Sequence, residues 1–279
     1  MVMLRQSNKR LMEADGMTLR MEGSKENANH AGKYLYCVVE GINADFAFTG
    51  MDDKRLAAVS RDGLMVMVQD VPQLLCNKDG GVLKDMVIVH HKVVEAAVKT
   101  RGAVLPFSFG NIVTGNESTT PEKRISVWLG KNYTALNEKL EKVRGKAEYG
   151  VQVLWDTDTI AANLIDESPE FKMLNQATRT TSPGTAFMYR EKLKIALRLE
   201  TEARSDECFR TYYGRIKKIV DEIKVDGIKK GDGSGRMLLN LSCLARPCEA
   251  EALGALLDDV EREGFTVVFT GPWPPYSFV

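Results

Sequence analysis

The last fifteen residues of this 279-residue sequence constrain it most. Chain ends are ordinarily polar and frayed, yet no charged residue occurs from Phe265 to Val279, and five of these positions are aromatic (Phe265, Phe269, Trp273, Tyr276, Phe278). Phe265-Thr266-Val267-Val268-Phe269-Thr270 is β-branched and aromatic throughout, the composition of a buried strand. Gly271 interrupts it. Pro272, Pro274 and Pro275 then fix φ near −65° and remove three amide donors. The expectation is a stiff, extended, polyproline-like arm that needs an apolar surface for Trp273, Tyr276 and Phe278. We expect that surface on the C-terminal domain the arm follows; the alternative is an arm held out for a partner.

Bulk properties bound the function classes. Lysine plus arginine balance aspartate plus glutamate at 38 each, so net charge gives no support to a nucleic-acid or anionic-membrane partner. The length suits two domains with sizeable cores. Five scattered cysteines (Cys37, Cys76, Cys208, Cys243, Cys248) form no CxxC pair, which points to reduced thiols rather than zinc ligands or a disulfide framework. Charges break up residues 1–21, so no signal peptide is read there, and no apolar run has the length of a membrane span.

Along the chain, residues 1–32 read as a polar, flexible extension. Tyr34-Leu35-Tyr36-Cys37-Val38-Val39 is an apolar strand. Residues 56–60 and 64–68 flank Arg61-Asp62-Gly63 as a hairpin. From 82 to 100 the period becomes helical, with Val82, Met86, Val89, Val93, Ala96 and Ala97 on one face. His90 and His91 are expected to straddle the edge of that face rather than bind a metal. A second helix is expected over 119–143, capped by Thr119 or Thr120 with Pro121 at its start. Then come a strand near 145–155, a short helix over 157–176, and a break at Ser182-Pro183-Gly184. A long helix from 185 to about 224 follows, carrying a charged run, Glu200 to Glu207, on a solvated face. Lys229-Lys230-Gly231-Asp232-Gly233-Ser234-Gly235-Arg236 lies after a helix and before a strand, the wrong order for a phosphate loop, and reads as a connector. A strand over 237–244 and a helix over 247–263 lead to the terminal strand.

These elements predict an α+β chain of two domains: an N-terminal α+β domain over 33–145 and a C-terminal, modified ferredoxin-like α/β sandwich over 146–279 that includes the aromatic tail. No nucleophile elbow, His-Glu-x-x-His, Walker loop or clustered aspartates occur, so the sequence supplies no catalytic, metal or cofactor residues. Glu95 and Glu148 are expected to pair or cap rather than catalyse.

The ending Gly271-Pro272-Trp273-Pro274-Pro275-Tyr276-Ser277-Phe278-Val279 resembles the signature of the gas vesicle protein F/L (GvpF/GvpL) family. The strand Tyr34 to Val39, the run His91-Lys92-Val93-Val94-Glu95, the segment Leu105 to Asn111, Gly145 to Val153 and Ser182-Pro183-Gly184 resemble it further, so the likeness spans about 33–279. Two departures stand out: Ser108 where the family has a basic residue, and Asn111 where it has a threonine. The resemblance implies a cytosolic, non-enzymatic accessory protein of gas vesicle assembly, present in the vesicle as a minor component. Its implied partner is the hydrophobic shell subunit GvpA, whose aggregation it would limit during nucleation. A scaffold for other accessory gas vesicle proteins is one alternative; an enzyme with a site between the domains, which predicts a deep pocket of titratable groups, is another. The candidate contact motif is Gly271, Pro272, Trp273, Pro274, Pro275, Tyr276 and Phe278.

Overall fold

The computed structural model describes residues 32–42, 46, 48–71, 80–227 and 235–279. The extension read over 1–32 lies, apart from Gly32, outside the described residues, as do Cys76 and most of the connector at 229–236. The chain mixes helices with antiparallel strand pairing, an α+β architecture. It forms two compact units: residues up to Glu148 together with Pro272–Val279, and Tyr149–Gly271.

The first unit is built on β1 (Gly32–Glu40), whose residues from Tyr34 to Val39 are buried on both faces. Such a strand must be central, and it is. Sheet order is β2-β3-β1-β4, with β2 (Ala57–Arg61), β3 (Leu64–Val71) and β4 (Val104–Pro106); short β5 (Ile112–Val113) also pairs β1. Every pairing in it is antiparallel. The β2–β3 hairpin turns at Asp62-Gly63, where φ is +53° and +85°, the two positive values a tight primed turn demands. Helix α1 (Gly80–Arg101) lays Met86, His90, Val93, Val94 and Ala97 in the buried layer.

The helix expected over 119–143 is two helices, α2 (Pro121–Lys131) and α3 (Tyr133–Val143), broken at Asn132 with φ −107° and ψ 11°. Asn132 donates both its side-chain amide (2.9 Å) and its backbone amide (3.0 Å) to the Trp128 carbonyl, closing the end of α2. Thr120 caps α2, accepting from the Lys123 amide, with Pro121 at the first helical position.

The second unit has sheet order β7-β8-β6-β9, from β6 (Ala147–Asp156), β7 (Glu222–Val225), β8 (Gly235–Ala245) and β9 (Thr266–Trp273). Between β6 and β7 run α4 (Thr157–Glu167), α5 (Pro169–Thr180) and the 35-residue α6 (Pro183–Lys217). Ser168-Pro169 splits the expected 157–176 helix, because proline starts a new helix that Ser168 caps. The long helix stops at Lys217, seven residues short of its expected end, and Glu222–Val225 forms β7 on the edge of the sheet. Helix α7 (Pro247–Arg262) buries Ala250, Leu253, Leu257 and Val260.

Candidate functional site

Helix α1 places two adjacent histidines in different environments. His90 is 2% exposed. The Phe107 carbonyl can only accept, so His90 Nε2–H donates to it (3.0 Å), which leaves Nδ1 to accept from the Tyr34 hydroxyl (2.8 Å). Tyr34 in turn accepts from the Gly110 amide (3.2 Å). The Tyr36 ring stacks on His90 at 5.4 Å. Burial holds the imidazole neutral by lowering its pKa to about 4. His90 therefore does not sit at the helix edge; it occupies the middle of the buried face as a satisfied core group.

Beside it, a second buried network anchors the loop that leads to β2. Tyr36 donates to Gln69 Oε1 (2.7 Å), which also accepts from the Met51 amide (2.8 Å), while Gln69 Nε2 donates to the Met51 carbonyl (2.9 Å). This fixes the 3-10 turn Met51–Asp53, in which Asp52 and Asp53 adopt φ of +55° and +53°. Burial pushes the Tyr36 phenol up to about 12. Gly50 is required here: a Cβ would fall 2.1 Å from Gln69 Oε1.

His91 sits at the outer edge of α1, and the tail lies on it. Pro272–Val279 belongs to the first compact unit, not to the one its preceding strand completes. The expectation that Trp273 and Tyr276 close the C-terminal domain is thus overturned: they pack on α1. The Trp273 ring lies 5.2 Å from the His91 ring and Tyr276 stacks on it at 6.1 Å, with a long 3.5 Å contact from the Tyr276 hydroxyl to His91 Nδ1. His91 Nε2 faces Glu95 Oε1 at 3.4 Å without the alignment of a hydrogen bond. Tyr276 also borders the core cluster of Tyr34, Tyr36 and Val94, and burial raises its phenol pKa.

The tail is not the extended arm its prolines suggested. After β9 it folds into a 3-10 turn, Tyr276–Phe278, closed by the Tyr276 amide on the Pro274 carbonyl (2.8 Å) and the Phe278 amide on the Pro275 carbonyl (3.1 Å). Glu148 clamps that turn. Its carboxylate accepts from the Ser277 amide at 2.7 Å and the Ser277 hydroxyl at 2.6 Å. Pro274, Pro275 and Phe278 are buried, with Lys142 Nζ over the Phe278 ring at 5.9 Å, while Trp273 stays 39% exposed and Gly271 and Pro272 are exposed. Gly271 has φ +123°, a conformation that side chains disfavour.

The structure therefore places Trp273 and Tyr276 on α1 and Phe278 beside Lys142 of α3, buries Pro274 and Pro275, and leaves Gly271 and Pro272 exposed. Glu95 and Glu148, singled out by motif, both face the tail; Ser277 is the anchoring residue that sequence reasoning passed over. At the departures from the family pattern, Asn111 donates to the Ser108 carbonyl (2.7 Å) and closes the turn locally. Elsewhere, a groove of about 340 Å³ in the second unit is lined by Glu167, Glu170, Glu200 and Arg204. The Arg204 guanidinium is held there by Glu167 at 2.7 Å. No three potential metal ligands converge among the described residues, and none of the described helices is long and apolar enough to cross a membrane.

Comparison with known proteins gives these features a family. The gas vesicle protein L of Haloferax mediterranei is 27% identical over 250 residues, covering 86% of this chain and 75% of that protein. The gas vesicle protein L1 of Halobacterium salinarum is 27% identical over 265 residues, covering 91% and 92%. The crystal structure of the gas vesicle protein GvpF from an Anabaena species superposes with a TM-score of 0.72 at 17% identity, over 89% of this chain and 98% of that one, a likeness of fold. The pattern described as Gas vesicle synthesis protein GvpL/GvpF matches residues 32–279, and with that match across nearly all of its length the chain belongs to the GvpL/GvpF family of gas vesicle proteins.

Proposed function

We propose that this chain is a non-enzymatic accessory protein of gas vesicle assembly. It binds the hydrophobic shell subunit GvpA in the cytoplasm, limits that subunit's aggregation during nucleation, and stays with the vesicle as a minor component. The observation that supports this reading is β9. It is an edge strand of the second unit's sheet, eight residues long, with no charged residue and with Val268 and Phe269 each 40% exposed. Sheet edges in soluble proteins are ordinarily short or guarded by charge, as β7 is with Glu222 and Lys224. An apolar edge that carries no charge and no proline from Thr266 to Gly271 suits an apolar partner that offers a strand.

The same reading takes the two compact units as two domains and the second as a modified ferredoxin-like sandwich. Support comes from its chain order β6-helices-β7-β8-α7-β9 and its sheet order β7-β8-β6-β9, with α4, α5 and α6 where that fold carries one helix. The first unit repeats that strand order around β1, with the segment through Met51–Asp53 in place of the first helix. The tail motif then acts as a structural clasp of the first domain.

A pull-down of purified shell subunit by the full chain tests the proposal. Retention by the parent chain and its loss in a folded Val268→Lys variant is the expected result. No retention by the parent overturns shell binding and moves the partner search to the other accessory gas vesicle proteins.

A further inference from the structure

Helix α6 is apolar on two opposite sides. At 100° per residue, the buried pair Ala186 and Leu193 faces away from Met188, Ile195 and Leu199, which share a stripe about 40° wide. The first side is covered within the unit. The second is bare: Met188, Ile195 and Leu199 are 58–71% exposed. These three side chains leave on the order of 350 Å² of apolar residue surface in water, within the range of the largest patch on a monomer.

We propose that this stripe is the interface of a homodimer in which α6 packs antiparallel on the α6 of a second copy. Positions 188, 192, 195 and 199 follow the four-three-four spacing of a coiled-coil seam, with Lys192 as its one charged member. A parallel pair sets Lys192 against its own copy. An antiparallel pair does not: Met188 meets the second copy's Leu199, and Ile195 covers the methylene stem of the second copy's Lys192, whose ammonium reaches water. The flanking positions Glu191 and Arg198, both exposed, then fall opposite each other across the two-fold axis, giving two ion pairs in which Arg198, which meets Glu202 of its own helix at 3.2 Å, is shared with the second copy's Glu191. The stripe thus carries its own apolar and charged complement, which selects a second copy over an unrelated helix. The two faces together, with the Lys192 stems, bury on the order of 800 Å², below the range of stable interfaces, so the dimer is weak and concentration-dependent. This inference stands apart from the shell-subunit reading, because it uses α6 and not β9.

Sedimentation equilibrium of the full chain from micromolar to millimolar concentration tests it. The expected result is a monomer–dimer equilibrium that Ile195→Glu abolishes with an unchanged circular dichroism spectrum, since residue 195 is exposed in the monomer. Glu191→Arg weakens dimerisation by about tenfold, and adding Arg198→Glu restores it. A parent chain that stays monomeric throughout, or an Ile195→Glu variant that dimerises as the parent does, overturns the proposal. Failure of the double charge reversal to restore affinity overturns the antiparallel register.

Discussion

Replacing Ser277 by alanine should loosen the tail from the first unit by an amount the geometry sets. The Glu148 carboxylate takes two hydrogen bonds from this residue, 2.6 Å from the hydroxyl and 2.7 Å from the amide, at a partly buried site. Hydrogen bonds to charged groups contribute roughly 1.5–3 kcal/mol each, and partial solvent access favours the lower figure. Ser277→Ala removes the hydroxyl bond alone and should cost about 1.5 kcal/mol. Glu148→Ala removes both and should cost about 3 kcal/mol. In the Glu148→Ala background the serine substitution should add almost nothing, a coupling of about 1.5 kcal/mol. Because the chain forms two compact units, a single melting temperature can mix their transitions. Local hydrogen exchange separates them: Ser277→Ala should speed exchange at the Tyr276–Phe278 turn roughly tenfold and leave α7 unchanged. If both single variants leave the turn as protected as in the parent, the clamp contributes nothing and the docking of the tail must rest on its aromatic residues alone.

Those aromatics should differ sharply in weight. Phe278→Ala, at 3% exposure, should cost about 3–4 kcal/mol in chemical denaturation, whereas Trp273→Ala, 39% exposed, should cost only about 1–2 kcal/mol. Acid should weaken the first unit through His90, whose pKa falls from 6.5 to about 4 on folding. Between those values the unfolded chain binds a proton that the folded chain refuses, so stability drops as pH falls through this window, by about 3 kcal/mol in all. His90→Gln should flatten that slope in denaturation curves at successive pH values, and an unchanged slope would assign it to other groups. Gly50→Ala should cost roughly 2–3 kcal/mol in thermal unfolding, because the added methyl displaces Gln69 from Met51; a neutral effect would show that the loop yields.

What could be read in the sequence was mostly local. Asp62-Gly63 announces its hairpin because few residues accept two positive φ values in succession, and Thr120-Pro121 and Ser168-Pro169 announce helix starts by chemistry that acts within one turn. Asn132 breaks its helix without such a signal: asparagine is tolerated in helices, and only its φ of −107° reveals the break. Glu222–Val225 hides as helix because Ile216, Ile219 and Ile223 keep a helical spacing, and the pairing that makes it a strand comes from Leu241 to Leu244 on β8. The tail's apolar character was plain, but its destination was not. Nothing in its composition distinguishes one apolar surface from another, and the residues that receive it, His91 and Glu148, lie more than a hundred positions away. His90 was misplaced for a related reason: a histidine enters a core only when partners such as Tyr34 and Phe107 are already there to satisfy it.

The clamp between Glu148 and Ser277 spans 129 residues, and on the ribosome sequence distance is time. At synthesis rates of about 5–20 residues per second, Glu148 is made roughly six to twenty-six seconds before its serine. Throughout that interval α1, β1 and the rest of the first unit are present without the segment that covers His91 and borders the Tyr34–Tyr36 cluster. A nascent or prematurely ended chain therefore displays that uncovered apolar surface, the feature that chaperones and proteases recognise. Arrival of Pro272–Val279 withdraws it, so the first-made unit is sealed only in molecules whose synthesis has run through the second.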